Sequence, residues 1–97
     1  MIYHVTTVDK WTLALQEGFY SHDSLQKEQF IHACSRQQLP GVLERYYSET
    51  NNLLLLHIDE TKVDVPLKYE HSRSIDELFP HIYGQLNLSA VVDTEAL

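Results

Sequence analysis

The sequence predicts an α+β domain built on a mainly antiparallel sheet. Residues 2–6, 30–33 and 53–58 are apolar or β-branched runs too short for helices. Two stretches of helical apolar spacing separate them, and several strand-like segments then follow in series. The order β, α, β, α and then strands marks α+β, with no alternating crossover units. Ninety-seven residues suffice for one hydrophobic core, so residues 1–97 are read as a single domain.

Along the first strand, Ile2, His4 and Thr6 share one face and Tyr3 and Val5 the other. Thr7 then has the chemistry of an N-cap for a helix carrying Val8, Trp11, Leu13, Ala14 and Leu15, which Gly18 would close. Phe19 and Tyr20 open an extended stretch, and residues 21–28 read as a polar loop with one helical turn around Ser24 to Lys27. After the strand at 30–33, Ser35 can cap a turn, and Pro40 suits the first turn of a second helix. Val42, Leu43, Tyr46 and Tyr47 form that helix's apolar face. Asn51-Asn52 signals a turn, and Leu53–Ile58 is an unbroken apolar run expected to be a central strand buried on both faces. Residues 59–63 read as a turn, 67–70 as a strand and 71–77 as a polar loop. The mixture of aromatics, Pro80 and Gly84 in residues 79–84 predicts a shaped loop, and 86–88 and 90–93 are closing strands.

Composition narrows the function classes. Apolar residues make up 43% and charged residues 22%, ordinary for a folded domain. A net charge of −7 opposes a phosphate backbone, so no nucleic-acid partner is expected, although a small phosphorylated metabolite can still be held by local cations. The one cysteine, Cys34, excludes an intrachain disulfide and fits a reducing, cytoplasmic setting. The longest apolar run, residues 53–56, is too short to span a bilayer, so no membrane association is expected. A core this small would gain from pairing, and a monomer or weak homodimer is expected.

Histidine is the residue type that draws chemical interest. His4, His32 and His81 each lie in an apolar or aromatic setting, within Tyr3-His4-Val5-Thr6, Phe30-Ile31-His32-Ala33 and Phe79-Pro80-His81-Ile82-Tyr83. Imidazole both donates and accepts near neutral pH, so the three could line one pocket; equally, each could be a core histidine satisfied by backbone. No His-x-x-x-His or Cys-x-x-Cys spacing exists, so no metal is expected. Cys34, two residues after His32 and beside a helix start, is a candidate thiol, weighed against a small buried core residue. Among the carboxylates, Glu70 stands out because it ends a strand and opens the loop toward His81, where it could stabilise developing positive charge. No glycine-rich phosphate loop is present.

Residues 2–7, Phe30-Ile31-His32, residues 38–42, residues 66–70 and residues 78–84 together resemble, in order and spacing, the bacterial family called domain of unknown function 952. That family is grouped with ADP-ribosyltransferase-like proteins, which bind NAD between two small antiparallel sheets. The resemblance therefore implies two such sheets with two or three short helices and a small-molecule nucleotide ligand, NAD or an ADP-ribose compound. It also implies ADP-ribosyl transfer or NAD glycohydrolase chemistry, with NAD as substrate. His4 and Thr6 match the strand positions that hold ribose and nicotinamide. His32 resembles the second-strand histidine of the RNA 2′-phosphotransferases, whose following serine is replaced by Cys34 with Ser35 beside it. Glu70, with Arg73, is the available counterpart of the enzymes' glutamate or arginines and is assigned the catalytic role. His4, Thr6, His32, Ser35, His81 and Tyr83 are assigned to ligand binding. The rival reading, from the missing glutamate and arginine machinery, is a non-catalytic metabolite- or protein-binding module that keeps the pocket.

Overall fold

A computed structural model describes residues 1–72 and 75–97. It is α+β, with strands β1 (Ile2–Thr7), β2 (Phe19–Tyr20), β3 (Ile31–His32), β4 (Leu53–Ile58), β5 (Leu67–His71), β6 (Leu78–Ile82), β7 (Leu86–Asn87) and β8 (Val91–Ala96). Helices α1 (Val8–Glu17), α2 (Ser24–Glu28) and α3 (Leu39–Tyr46) lie among them. All pairings are antiparallel and fall into three sheets, β1-β4-β8, β2-β7 and β3-β6-β5, which corrects the expected two. The extra sheet is a two-residue ladder, Phe19 and Tyr20 against Asn87 and Leu86, too short to join either neighbour.

The apolar run at Leu53–Ile58 does become a central strand with both faces covered. Leu56 and Ile58 join Ile2, Ala14, Tyr20 and Leu86 in one cluster, and Leu53 and Leu55 join Val5, Cys34 and Leu39 in a second. Helix α1 forms where capping chemistry predicts: the Lys10 N–H donates to Thr7 Oγ1 at 3.2 Å, and Gly18 closes the helix at φ 89°. Only the Trp11 and Ala14 stripe packs on the core, because this short helix touches it along one i, i+3 line. Val8, Leu13 and Leu15, the other apolar residues of the helix, face solvent. In α3, Val42, Leu43 and Tyr47 pack inward while Tyr46 is exposed.

Residues 79–84 depart most from expectation. Instead of a loop, 78–82 form the central strand of the third sheet, with Pro80 inside it. A residue's N and C=O point to the same side of a strand, and the Pro80 carbonyl accepts from Ala33 N–H at 3.1 Å, just beyond the end of β3. The missing N–H therefore costs one bond at the frayed end of β3 and none toward β5. Gly84 follows at φ 148°, where an added Cβ would stand 2.9 Å from Val65 Cγ1.

Candidate functional site

Strand pairing brings His32 and His81 directly opposite each other on β3 and β6, with their ring centroids 5.5 Å apart. Phe30 lies flat on His81, centroids 3.9 Å apart, and edge-on to His32 at 4.8 Å, so the three rings form one compact aromatic group. From β5, Glu70 Oε1 takes a 2.9 Å hydrogen bond from His81 Nδ1 and a second from the Tyr83 hydroxyl. These bonds, Tyr83's first and His81's second, hold the Glu70 carboxyl below the usual carboxylate range, so it is ionised at neutral pH. The same bond pushes the Tyr83 hydroxyl up. His32 Nε2 lies 2.6 Å from Glu28 Oε2, at the end of α2.

This group borders a cleft of about 930 Å³, also lined by His4, His22, Lys27, Arg45, Tyr46 and Tyr47. Among the predicted ligand residues, His4, His32, His81 and Tyr83 reach it, together with Glu70; Thr6 and Ser35 do not line it. Ser35 instead caps the turn before α3, its N–H donating to Gln38 Oε1 at 3.0 Å and its Oγ accepting from Gln38 N–H at 3.2 Å. Arg73 lies outside the described residues.

His4 is placed differently from the other two. It is buried, its Nδ1–H donates to the His32 carbonyl, and its Nε2 stands 2.8 Å from the hydroxyl of fully buried Tyr20. Burial drives the His4 imidazole down to about 3, so the ring is neutral and Nε2 can only accept. Tyr20 must then give its proton to His4, and its oxygen takes that of Thr6 Oγ1, also 2.8 Å away. Every polar atom of this chain of groups is satisfied inside the protein.

Cys34 is buried, and desolvation pushes its thiol up to about 11, which leaves it protonated at neutral pH and corrects its candidacy as an activated nucleophile. His32, two residues earlier, is half-exposed while Cys34 is in the core. Among the described residues, no group of three or more His, Cys, Asp and Glu is placed to hold a metal ion. Among the same residues, no helix is long and apolar enough to cross a membrane.

Sequence reasoning missed Tyr20, His22, Glu28 and Phe30. Glu28 and Phe30 carried local signals, standing four and two residues before His32; Tyr20 and His22 depend on tertiary proximity. His22 packs edge-on to His4 at 5.3 Å, and its Nδ1 accepts from Ser24 N–H at 3.1 Å. Burial is the main cause lowering its affinity for a proton, with the Lys10 charge second.

The fold is similar to that of protein CC0527 from Caulobacter crescentus. Its crystal structure superposes with a TM-score of 0.89 at 27% sequence identity, over 99% of this chain and 84% of that one. The solution NMR structure of the same protein gives a TM-score of 0.84 at 27% identity, over 99% and 83% of the two chains. No curated protein matches this chain. The family model described as protein of unknown function, DUF952, matches residues 5–94, and the chain belongs to that family.

Proposed function

We propose that the cleft binds NAD or an ADP-ribose-type nucleotide. The observation that carries this reading is the convergence of Phe30, His32, Glu70, His81 and Tyr83 on one opening that also receives Lys27 and Arg45. In a chain of net charge −7, two of its few cations stand at a cleft walled by aromatic rings, which suits a ligand with phosphates at one end and a flat base at the other. Ionised Glu70 is suited to stabilise positive charge on a ribose as its glycosidic bond breaks, the step shared by NAD glycohydrolase and ADP-ribosyl transfer chemistry. On this reading the chain would be grouped with the ADP-ribosyltransferase-like proteins. Isothermal titration with NAD and with ADP-ribose tests it: binding of either supports the reading, while no heat and an unchanged melting temperature with both reject it.

A second reading, a binding module without glycosidic chemistry, draws on His4 and Thr6. The resemblance assigns these two to the ribose and nicotinamide, yet their hydrogen-bonding capacity is committed to Tyr20 and the His32 carbonyl. Nucleotide binding with no release of nicotinamide from NAD would favour the module.

A further inference from the structure

We infer that His32 and His81 form a metal-independent general acid–base pair acting on a phosphodiester of a nucleotide, each ring oriented by its own carboxylate. This rests on the same cleft and ligand class as that reading and goes beyond it by naming a reaction.

The pair is assembled by three separate elements and the end of a helix. Glu28 ends α2, His32 is on β3, Glu70 on β5 and His81 on β6. The His32 and His81 positions face each other in register, so both rings emerge on the same side of the β3-β6 ladder. Glu28 engages Nε2 of His32 at 2.6 Å and Glu70 engages Nδ1 of His81 at 2.9 Å. A carboxylate accepts, so each bond fixes a proton on the engaged nitrogen and directs the lone pair to the other one, Nδ1 of His32 and Nε2 of His81. Each ring therefore keeps one nitrogen free of its carboxylate, and an acid–base pair needs one such nitrogen to take a proton and the other to give one. Phe30, stacked on one ring and edge-on to the other, fixes their spacing through apolar contact and occupies no hydrogen-bonding position.

A phosphodiester fits this apparatus better than a carbonyl or a glycosidic bond. Its hydrolysis needs a proton removed from water as oxygen attacks phosphorus and a proton delivered to the alkoxide as the P–O bond breaks, and two imidazoles supply both. Water adds across the bond, the products are a phosphomonoester and an alcohol, and the two rings exchange protonation states, reset through solvent. Lys27 and Arg45 at the same cleft can offset the phosphate charge. The buried, protonated Cys34 thiol offers no competing nucleophile.

The test uses the whole protein with 2′,3′-cyclic AMP and bis(p-nitrophenyl) phosphate as probes, a chelator present, and product release followed across pH. The expected result is chelator-resistant turnover with a bell-shaped rate profile. His32→Ala and His81→Gln should each lower kcat/KM by about 10²–10⁴-fold and each abolish one limb of the bell. The double variant should fall little further than either single one, because the rings act as a unit. His32 is half-exposed, so its variant will fold even if the more buried His81→Gln does not. Failure of the wild-type protein to hydrolyse both probes overturns the inference, as does a His32→Ala rate within twofold of wild type. A parallel titration with ADP-ribose keeps the two readings apart. Binding without diester turnover removes the acid–base pair alone, and turnover with no binding of either ADP-ribose or NAD removes the nucleotide reading of the proposed function alone.

Discussion

His4 and His81 have similar sequence settings, each next to an aromatic or β-branched neighbour on a strand, and both are buried, yet their surroundings differ in kind. His4 is enclosed by Tyr20, Thr6 and the His32 carbonyl, all uncharged, and is kept neutral. His81 meets an ionised carboxylate and the aromatic face of Phe30 at the wall of an open cleft. The difference teaches that burial does not make a histidine chemical; the nature of its partners does. A neutral network occupies both nitrogens of an imidazole, whereas a carboxylate that engages one nitrogen fixes the ring and leaves the other free to exchange a proton. The two regions also touch, since His4 donates to the backbone of His32, so the inert network holds the strand on which half of the reactive pair stands.

Substitutions should separate the two regions by stability. His4→Ala removes a ring with two internal bonds and strands Tyr20 and the His32 carbonyl, and a loss of about 3 kcal/mol is expected, read as a lower urea midpoint at unchanged m-value. The same network predicts acid sensitivity. The unfolded His4 ring titrates near 6.5 and the folded one near 3, so between those values the unfolded chain binds a proton that the folded chain refuses. Stability is therefore full above about pH 6.5 and falls as pH drops, at up to about 1.4 kcal/mol per pH unit until the folded value is reached. Urea titrations at stepped pH should show this slope in the wild type and a shallower one in His4→Gln; equal slopes would contradict the neutral network. Tyr20→Phe keeps the ring and deletes only the hydroxyl that joins His4 to Thr6, for an expected loss of about 1–3 kcal/mol in the same assay.

The inert region was the more legible of the two. Thr7 and Gly18 mark the ends of α1 because capping is local chemistry, and the run at Leu53–Ile58 reads as a doubly buried strand because its first four residues are leucine on both faces. Ser35 as a turn cap was equally visible, since its partner Gln38 is three residues away. The reactive region was hidden by Pro80, which argues against a central strand unless its nitrogen happens to face the end of a short neighbour, as here. Without β6 as a strand, the pairing of His32 with His81 cannot be derived. Tyr20 was hidden for the opposite reason: it belongs to a two-residue strand with no periodicity, and its partners stand 14 and 16 residues away.

The smallest effect on stability is expected where the effect on function should be largest. Glu70 is half-exposed, and its carboxylate trades bonds with water for bonds to His81 and Tyr83, so Glu70→Gln should change the urea midpoint at pH 7 very little. Its folded carboxyl titrates below the ordinary value, so the stability it contributes is present above that value and is lost as pH falls through the folded one. The substitution should therefore remove that small contribution at neutral pH and flatten the pH dependence only below the ordinary carboxylate value, within the lower part of the window governed by His4. The amide oxygen can still accept from His81 but brings no negative charge to the cleft, so nucleotide turnover should fall although the fold stays intact. A Glu70→Gln protein that unfolds like His4→Ala would erase the distinction between the regions, because the carboxylate would then be holding the structure together just as Tyr20 does.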